Sequence, residues 1–160
     1  MNLALCLWLF WAYSFLGYLL EKAYAAATAS PRQARKCFLL LPLCPVYGLG
    51  ALAVLALPPG LTDSFWSLAL WGALTATGVE YVVHLLYDRL LGVQFWDYSQ
   101  VRWNIRGRVC LPFTLAWGLL TAAVLPLLQL LLVPVLSAVP PIITYLLLLV
   151  TTADAVVSAA

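Results

Sequence analysis

Five long apolar segments constrain this chain more than any other feature. They run over Leu3–Ala26, Cys37–Leu57, Phe65–Tyr87, Cys110–Val133 and Val139–Val157, and each holds 19 or more residues. A helix rising 1.5 Å per residue needs about 20 residues to cross a hydrocarbon core of roughly 30 Å. Lipid offers the backbone no hydrogen-bond partners, so helices are the expected spanning form. Composition agrees: the chain is 65% hydrophobic and 9% charged, against roughly 25% charged in soluble domains. The dividers Thr28–Lys36, Pro58–Ser64, Leu91–Val109 and Pro134–Pro141 carry six of the ten prolines and most of the charge. The expected fold class is an all-α integral membrane protein with five transmembrane helices. Residues 1–160 form one membrane domain, with the lipid bilayer as main partner and no nucleic-acid partner.

Orientation follows from the basic residues. Lys22, Arg32, Arg35 and Lys36 sit at or after the end of the first segment, and Arg89, Arg102, Arg106 and Arg108 between the third and fourth. All eight therefore fall on one side, which the positive-inside bias makes cytoplasmic. Five spans then put the N-terminus outside and the C-terminus inside, in a multi-pass protein of a bacterial cytoplasmic membrane. Trp8 and Trp66 fall at the outer boundary, Trp96 and Trp103 at the inner one, as interfacial aromatics do. No basic residue precedes the first apolar run and Glu21-Lys22 follows it, so it reads as a retained helix rather than a cleaved leader. The four cysteines form no Cys-x-x-Cys pair and read as small buried hydrophobes.

Three carboxylates lie where hydrocarbon is expected. An acidic side chain at membrane depth costs roughly 2.5–3.5 kcal/mol on insertion scales, and it faces a partner or a polar interior. Glu21 lies about 27 Å along the first helix, and Glu80 and Asp154 each about 22 Å along theirs. The three are expected at one level in the cytoplasmic third of the membrane, with Arg108 within reach of Glu80 or Asp154. Thr77, Glu80, His84 and Asp88 recur at helical spacing and make one polar stripe. A buried network that fixes helix packing and a substrate or ion pathway both fit such a stripe.

Other chemistries are poorly supported. There is one His, no His-Glu-x-x-His, no Gly-x-Ser-x-Gly and no Walker A loop. No catalytic residue, metal or cofactor is therefore expected, and the chain is not read as an enzyme. The second segment opens Leu41-Pro42-Leu43-Cys44-Pro45-Val46-Tyr47-Gly48. Pro42 and Pro45 remove donors and bend its start, Gly48 allows a close backbone approach, and carbonyls around Leu41–Leu43 are expected to face inward. Gln94–Cys110 alternates aromatics with Asp97, Arg102, Arg106 and Arg108. It is expected in the headgroup interface, with Phe95, Trp96 and Trp103 inserted and the arginines near phosphates.

Tyr13–Glu21, Pro42–Ala51, Glu80-Tyr81, Trp96-Asp97-Tyr98-Ser99, Asn104-Ile105-Arg106-Gly107-Arg108-Val109-Cys110-Leu111, Trp117-Gly118 and Asp154 with Ser158 occur in this order. Together they resemble the CmpB-type family, whose bacterial members are labelled type IV ABC-transporter permeases and which has animal transmembrane relatives. One departure is Asp88-Arg89, where the family pattern has Glu-Lys; the charge pattern is kept. The resemblance implies a membrane subunit driven by a separate ATPase. In the transport reading, Trp96–Arg108 docks that cytoplasmic ATPase, and Glu21, Glu80 and Asp154 line the inner pathway with Arg108 as counter-ion. Five helices are few for a whole pathway, so a homodimer or heteromer is expected. The alternatives are a structural or regulatory membrane protein whose polar cluster serves folding and partner binding, and a proton- or ion-linked carrier. Glu80→Gln separates the first two, because one predicts lost flux at normal abundance and the other lost stability.

Overall fold

A computed structural model describes residues 2–28 and 37–159. Arg32, Arg35 and Lys36, which bear on orientation, lie outside the described residues. The described residues are all-helical apart from one small hairpin: α1 (Leu3–Ala27), α2 (Pro45–Leu55), α3 (Phe65–Leu86), β1 (Asn104–Ile105), β2 (Val109–Cys110), α4 (Leu111–Ser137) and α5 (Pro141–Ala159). Among the described residues, four helical stretches are long and apolar enough to cross a membrane: α1, α3 with its π-helical continuation to Leu91, α4 and α5.

The fifth expected span is different. Helix begins at Pro45 rather than Cys37, and α2 has 11 residues, about 16 Å of rise. Two prolines cause this. Pro42 cannot donate to an upstream carbonyl, whereas Pro45 at the first helical position gives up only a donor that would be unpaired anyway. The other predicted boundaries shift little. One exception is Pro134, placed in a loop by sequence but included in α4.

The described residues cluster in two compact units, 1–48 with 132–160, and 49–131. In the first, Trp11, Leu39 and Leu43 form the buried core, joined by Trp8, Phe10, Phe38 and Leu147. The segment before α2 is non-helical, so its amides need other acceptors. Leu40 and Leu41 donate to the two carboxylate oxygens of Asp154 at 3.0 and 2.9 Å, and Cys44 donates to the Ser14 carbonyl at 2.9 Å. Amides, rather than the expected carbonyls, thus meet the acid. Cys37 and Cys44 are joined in a disulfide, with Cα atoms 4.9 Å apart, instead of standing as separate small hydrophobes. Gly17 lies directly against the Tyr47 ring and Gly48 against Ser14. Trp8, expected in an outer aromatic belt, donates its indole N–H to Thr144 at 2.9 Å.

In the second unit, α3 starts with Ser64 accepting from the Ser67 amide at 3.2 Å, an N-cap. Gly72 faces Thr121, and a side-chain carbon on Gly118 would meet the Ala69 carbonyl at 2.6 Å. α3 and α4 therefore touch through small residues, as close-packed membrane helices do. Val54, Leu68 and Ala122 bury the contact, with Leu57, Ala69 and Leu125 around them. The antiparallel hairpin pairs Asn104 with Cys110 and Ile105 with Val109, and β2 runs straight into α4.

Candidate functional site

The polar stripe of α3 is turned toward α4 and the loop that joins them. Thr77 donates to Thr114 at 3.0 Å. Glu80, 6% exposed, accepts from the Tyr98 hydroxyl at 2.9 Å on one oxygen and from the Trp117 indole at 3.0 Å on the other. His84, 3% exposed, meets the Trp96 carbonyl at 3.0 Å through Nε2. A carbonyl can only accept, so Nε2 carries the proton. Asp88 accepts from Arg108 at 2.9 Å and from Gln94 at 3.0 Å. One helical face thus holds the loop at three successive levels, Glu80, His84 and Asp88, and meets α4 at Thr77.

The loop is built to meet that face. Asp97 accepts the Ser99 amide at 2.8 Å and the Ser99 hydroxyl at 2.9 Å, making a tight turn. These two bonds hold the Asp97 carboxyl below its ordinary pKa of 3.8. Tyr98 donates its amide to the Gly107 carbonyl at 2.7 Å. Asn104 donates to the Val101 carbonyl at 2.7 Å and accepts from the Gly107 amide at 3.0 Å. Gly107 has φ +69°, and a side-chain carbon there would meet Asp97 Oδ1 at 2.7 Å, so both backbone and space require glycine. The Trp96 indole donates to the Arg108 carbonyl at 3.0 Å.

Aromatic rings fill the space between these bonds. Tyr98 stacks on Phe113 with centroids 5.0 Å apart, and Trp96 meets His84 edge-on at 5.2 Å. Phe95 packs on Tyr87 at 4.9 Å. Arg108 lies over the Tyr81 ring at 5.4 Å and donates to its hydroxyl at 3.3 Å. Its bonds to Asp88 and then Tyr81 raise its pKa further. Two buried nitrogens, His84 Nδ1 and Arg108 Nε, lack a partner among the described residues.

The expected site residues divide accordingly. Glu80, His84, Trp96, Tyr98 and Arg108 come together with Asp88, and Asp97, Asn104 and Gly107 shape the loop that carries them. Arg108 is not the counter-ion of Glu80. Its guanidinium is held by Asp88, two turns further along α3, while a phenol and an indole take the Glu80 oxygens. Phe95 and Trp96, expected in the headgroups, are half-buried against α3. In the other unit, Glu21 accepts from the Tyr47 hydroxyl at 2.7 Å. Asp154, 9% exposed, takes the Leu40 and Leu41 amides and the Ser158 hydroxyl at 3.2 Å. Pro42 and Pro45 follow those amides in the chain, and Arg106 is exposed. Sequence reasoning passed over Tyr47 and Trp117 as partners. Their signal was an aromatic donor within a quoted motif, but no spacing rule links them to acids on other helices.

Comparison with known proteins gives one match. Residues 8–159 match the family model ABC_trans_CmpB, described as "Putative ABC-transporter type IV". No curated protein and no solved structure matches. With nearly its whole length matched, this chain belongs to the ABC_trans_CmpB family.

Proposed function

We propose that this chain is the permease-like membrane subunit of an ABC-type transporter, with nucleotide hydrolysis supplied by a separate chain. Family membership and apolar helices support the class. The observation that carries the mechanism is the attachment of the α3–α4 loop to α3 by side chains at Glu80, His84 and Asp88. A loop so fixed moves as one body with the helix it is bonded to. A force applied to the loop would reach α3 and α4 directly rather than dissipate in a flexible linker. Asp154 and the segment before α2 give the other unit a similar joint between α5 and the stretch from Cys37 to Cys44.

The test is a mild-detergent pull-down of the full chain from native membranes. A nucleotide-binding subunit is expected to accompany it, in a complex holding two membrane chains or more. Recovery of the chain alone, still functional, removes the transporter reading. A second reading, a structural or regulatory membrane protein, is favoured by one observation: the stripe is held by neutral donors and an ion pair, as a packing network requires. Under it, Glu80→Gln lowers abundance; under transport, it lowers flux at normal abundance.

A further inference from the structure

We propose that the tip of the β1–β2 hairpin is a lipid wedge, with Trp103 and Ile105 entering the headgroup region while Arg102 and Arg106 bind phosphates of anionic lipids. The wedge requires only that α3 and α4 lie in a bilayer, and it stands or falls separately from any ATPase.

Four observations converge on this tip. First, its apolar side chains are turned outward. Trp103 is 73% exposed and Ile105 is 60% exposed, whereas Val109, paired with Ile105 across the hairpin, is 3% exposed. Second, the tip is held in an unfavourable backbone. Trp103 has φ +59° and Arg106 has φ +53°, a region that bulky residues rarely adopt. Strain of this kind persists where surrounding bonds over-determine it, and it concentrates at functional positions. Here Asn104 provides those bonds from within the turn.

Third, the depth is fixed. The amide of Leu111, the first residue of α4, donates to the Trp103 carbonyl at 3.0 Å. Trp103 is therefore tied to the point where a membrane-length apolar helix begins, the level at which tryptophan is enriched in membrane proteins. Fourth, Arg102 and Arg106 are both exposed and have no ion pair among the described residues. Arg108, three residues from the tip's centre, is instead held by Asp88. Two guanidiniums flanking a tryptophan and an isoleucine match a layer of phosphates above acyl chains. A protein partner fits less well. A stable protein interface takes about 800 Å² from each side, more than one tight turn presents.

The test uses the full chain with Cys6→Ser and Ile105→Cys, labelled at residue 105 with bimane and reconstituted in phosphatidylcholine vesicles with or without phosphatidylglycerol. Headgroup-spin-labelled lipid should quench the label strongly. In native mass spectrometry of the unlabelled protein, retained phosphatidylglycerol should fall roughly fivefold for Arg102→Gln or Arg106→Gln, and more for both. Trp103→Gly should leave the thermal midpoint in lipid-free detergent unchanged or higher, because glycine accepts this φ freely, while weakening lipid retention. An unquenched, water-accessible label overturns the proposal, as does retention indifferent to both arginines.

Discussion

Glu80 is held by two donors with different tolerances. The Tyr98 hydroxyl can rotate to accept, but the Trp117 indole can only donate. Glutamine at position 80 can turn its carbonyl to Trp117 and its amide to Tyr98, so Glu80→Gln is expected to cost about 1 kcal/mol or less. Trp117→Phe leaves a buried carboxylate oxygen without that donor and is expected to cost about 1–3 kcal/mol. Thermal unfolding in detergent should rank them in that order. The reverse ranking would mean that the charge itself holds the packing, which favours the structural reading. The stripe was legible in the sequence because helical spacing alone aligns Thr77, Glu80, His84 and Asp88. Its partners were not, because Trp117 and Tyr98 reach Glu80 through tertiary packing. Arg108 was paired with the wrong acid for the same reason: position along a helix gives depth but not which acid a long side chain selects. Asp97 gives a further prediction at this scale. Its pKa is lower in the folded chain than the ordinary 3.8, so its contribution is complete above that value and is lost as pH falls through the depressed one. Hydrogen exchange at the Ser99 amide should therefore accelerate below pH 3.8. Asp97→Asn, which keeps an acceptor without titrating, should flatten that dependence.

At the scale of elements, apolar content was read well and helix content less so. Cys37–Leu57 is continuous in hydropathy, yet its first eight residues are not helical, because Pro42 and Pro45 break the ladder while leaving the apolar run intact. The opposite happened at Pro134, which α4 accommodates. Membrane helices tolerate proline where neighbouring groups satisfy the freed carbonyl. The amides released before α2 explain the conspicuous acid of α5. Two backbone N–H groups need two acceptors, and a carboxylate offers a separate acceptor oxygen to each. Asp154→Asn replaces one acceptor with an N–H₂ that faces a donor unable to turn round. It is expected to cost about 1–3 kcal/mol, lowering the thermal midpoint by more than Glu80→Gln does. Equal midpoints for Asp154→Asn and the parent chain would mean that these amides find water or another acceptor.

For the whole molecule, the question is whether the stretch from Cys37 to Leu55 crosses the bilayer. Eleven helical residues rise about 16 Å, half of what a span needs. The preceding stretch can make up the difference only if its backbone is satisfied away from lipid, and Asp154 and the Ser14 carbonyl meet that condition. If the stretch crosses, both groups of basic residues share a side. If it turns back, α3 runs the other way, and Arg89, Arg102, Arg106 and Arg108 are separated from Lys22, Arg32, Arg35 and Lys36. The positive-inside bias favours the crossing. The Cys37–Cys44 bond makes a competing demand, since disulfides persist mainly on the oxidising side, and in the crossing arrangement this pair faces the reducing one. Eight charges are expected to decide the orientation. In intact cells a membrane-impermeant maleimide should then label Asp63→Cys and spare Gln100→Cys until the membrane is opened. Labelling of Gln100→Cys in intact cells would place the hairpin outside. Recovery of an intact Cys37–Cys44 bridge from those cells would then indicate an inverted crossing, because a stretch that turns back leaves this pair on the side opposite the hairpin.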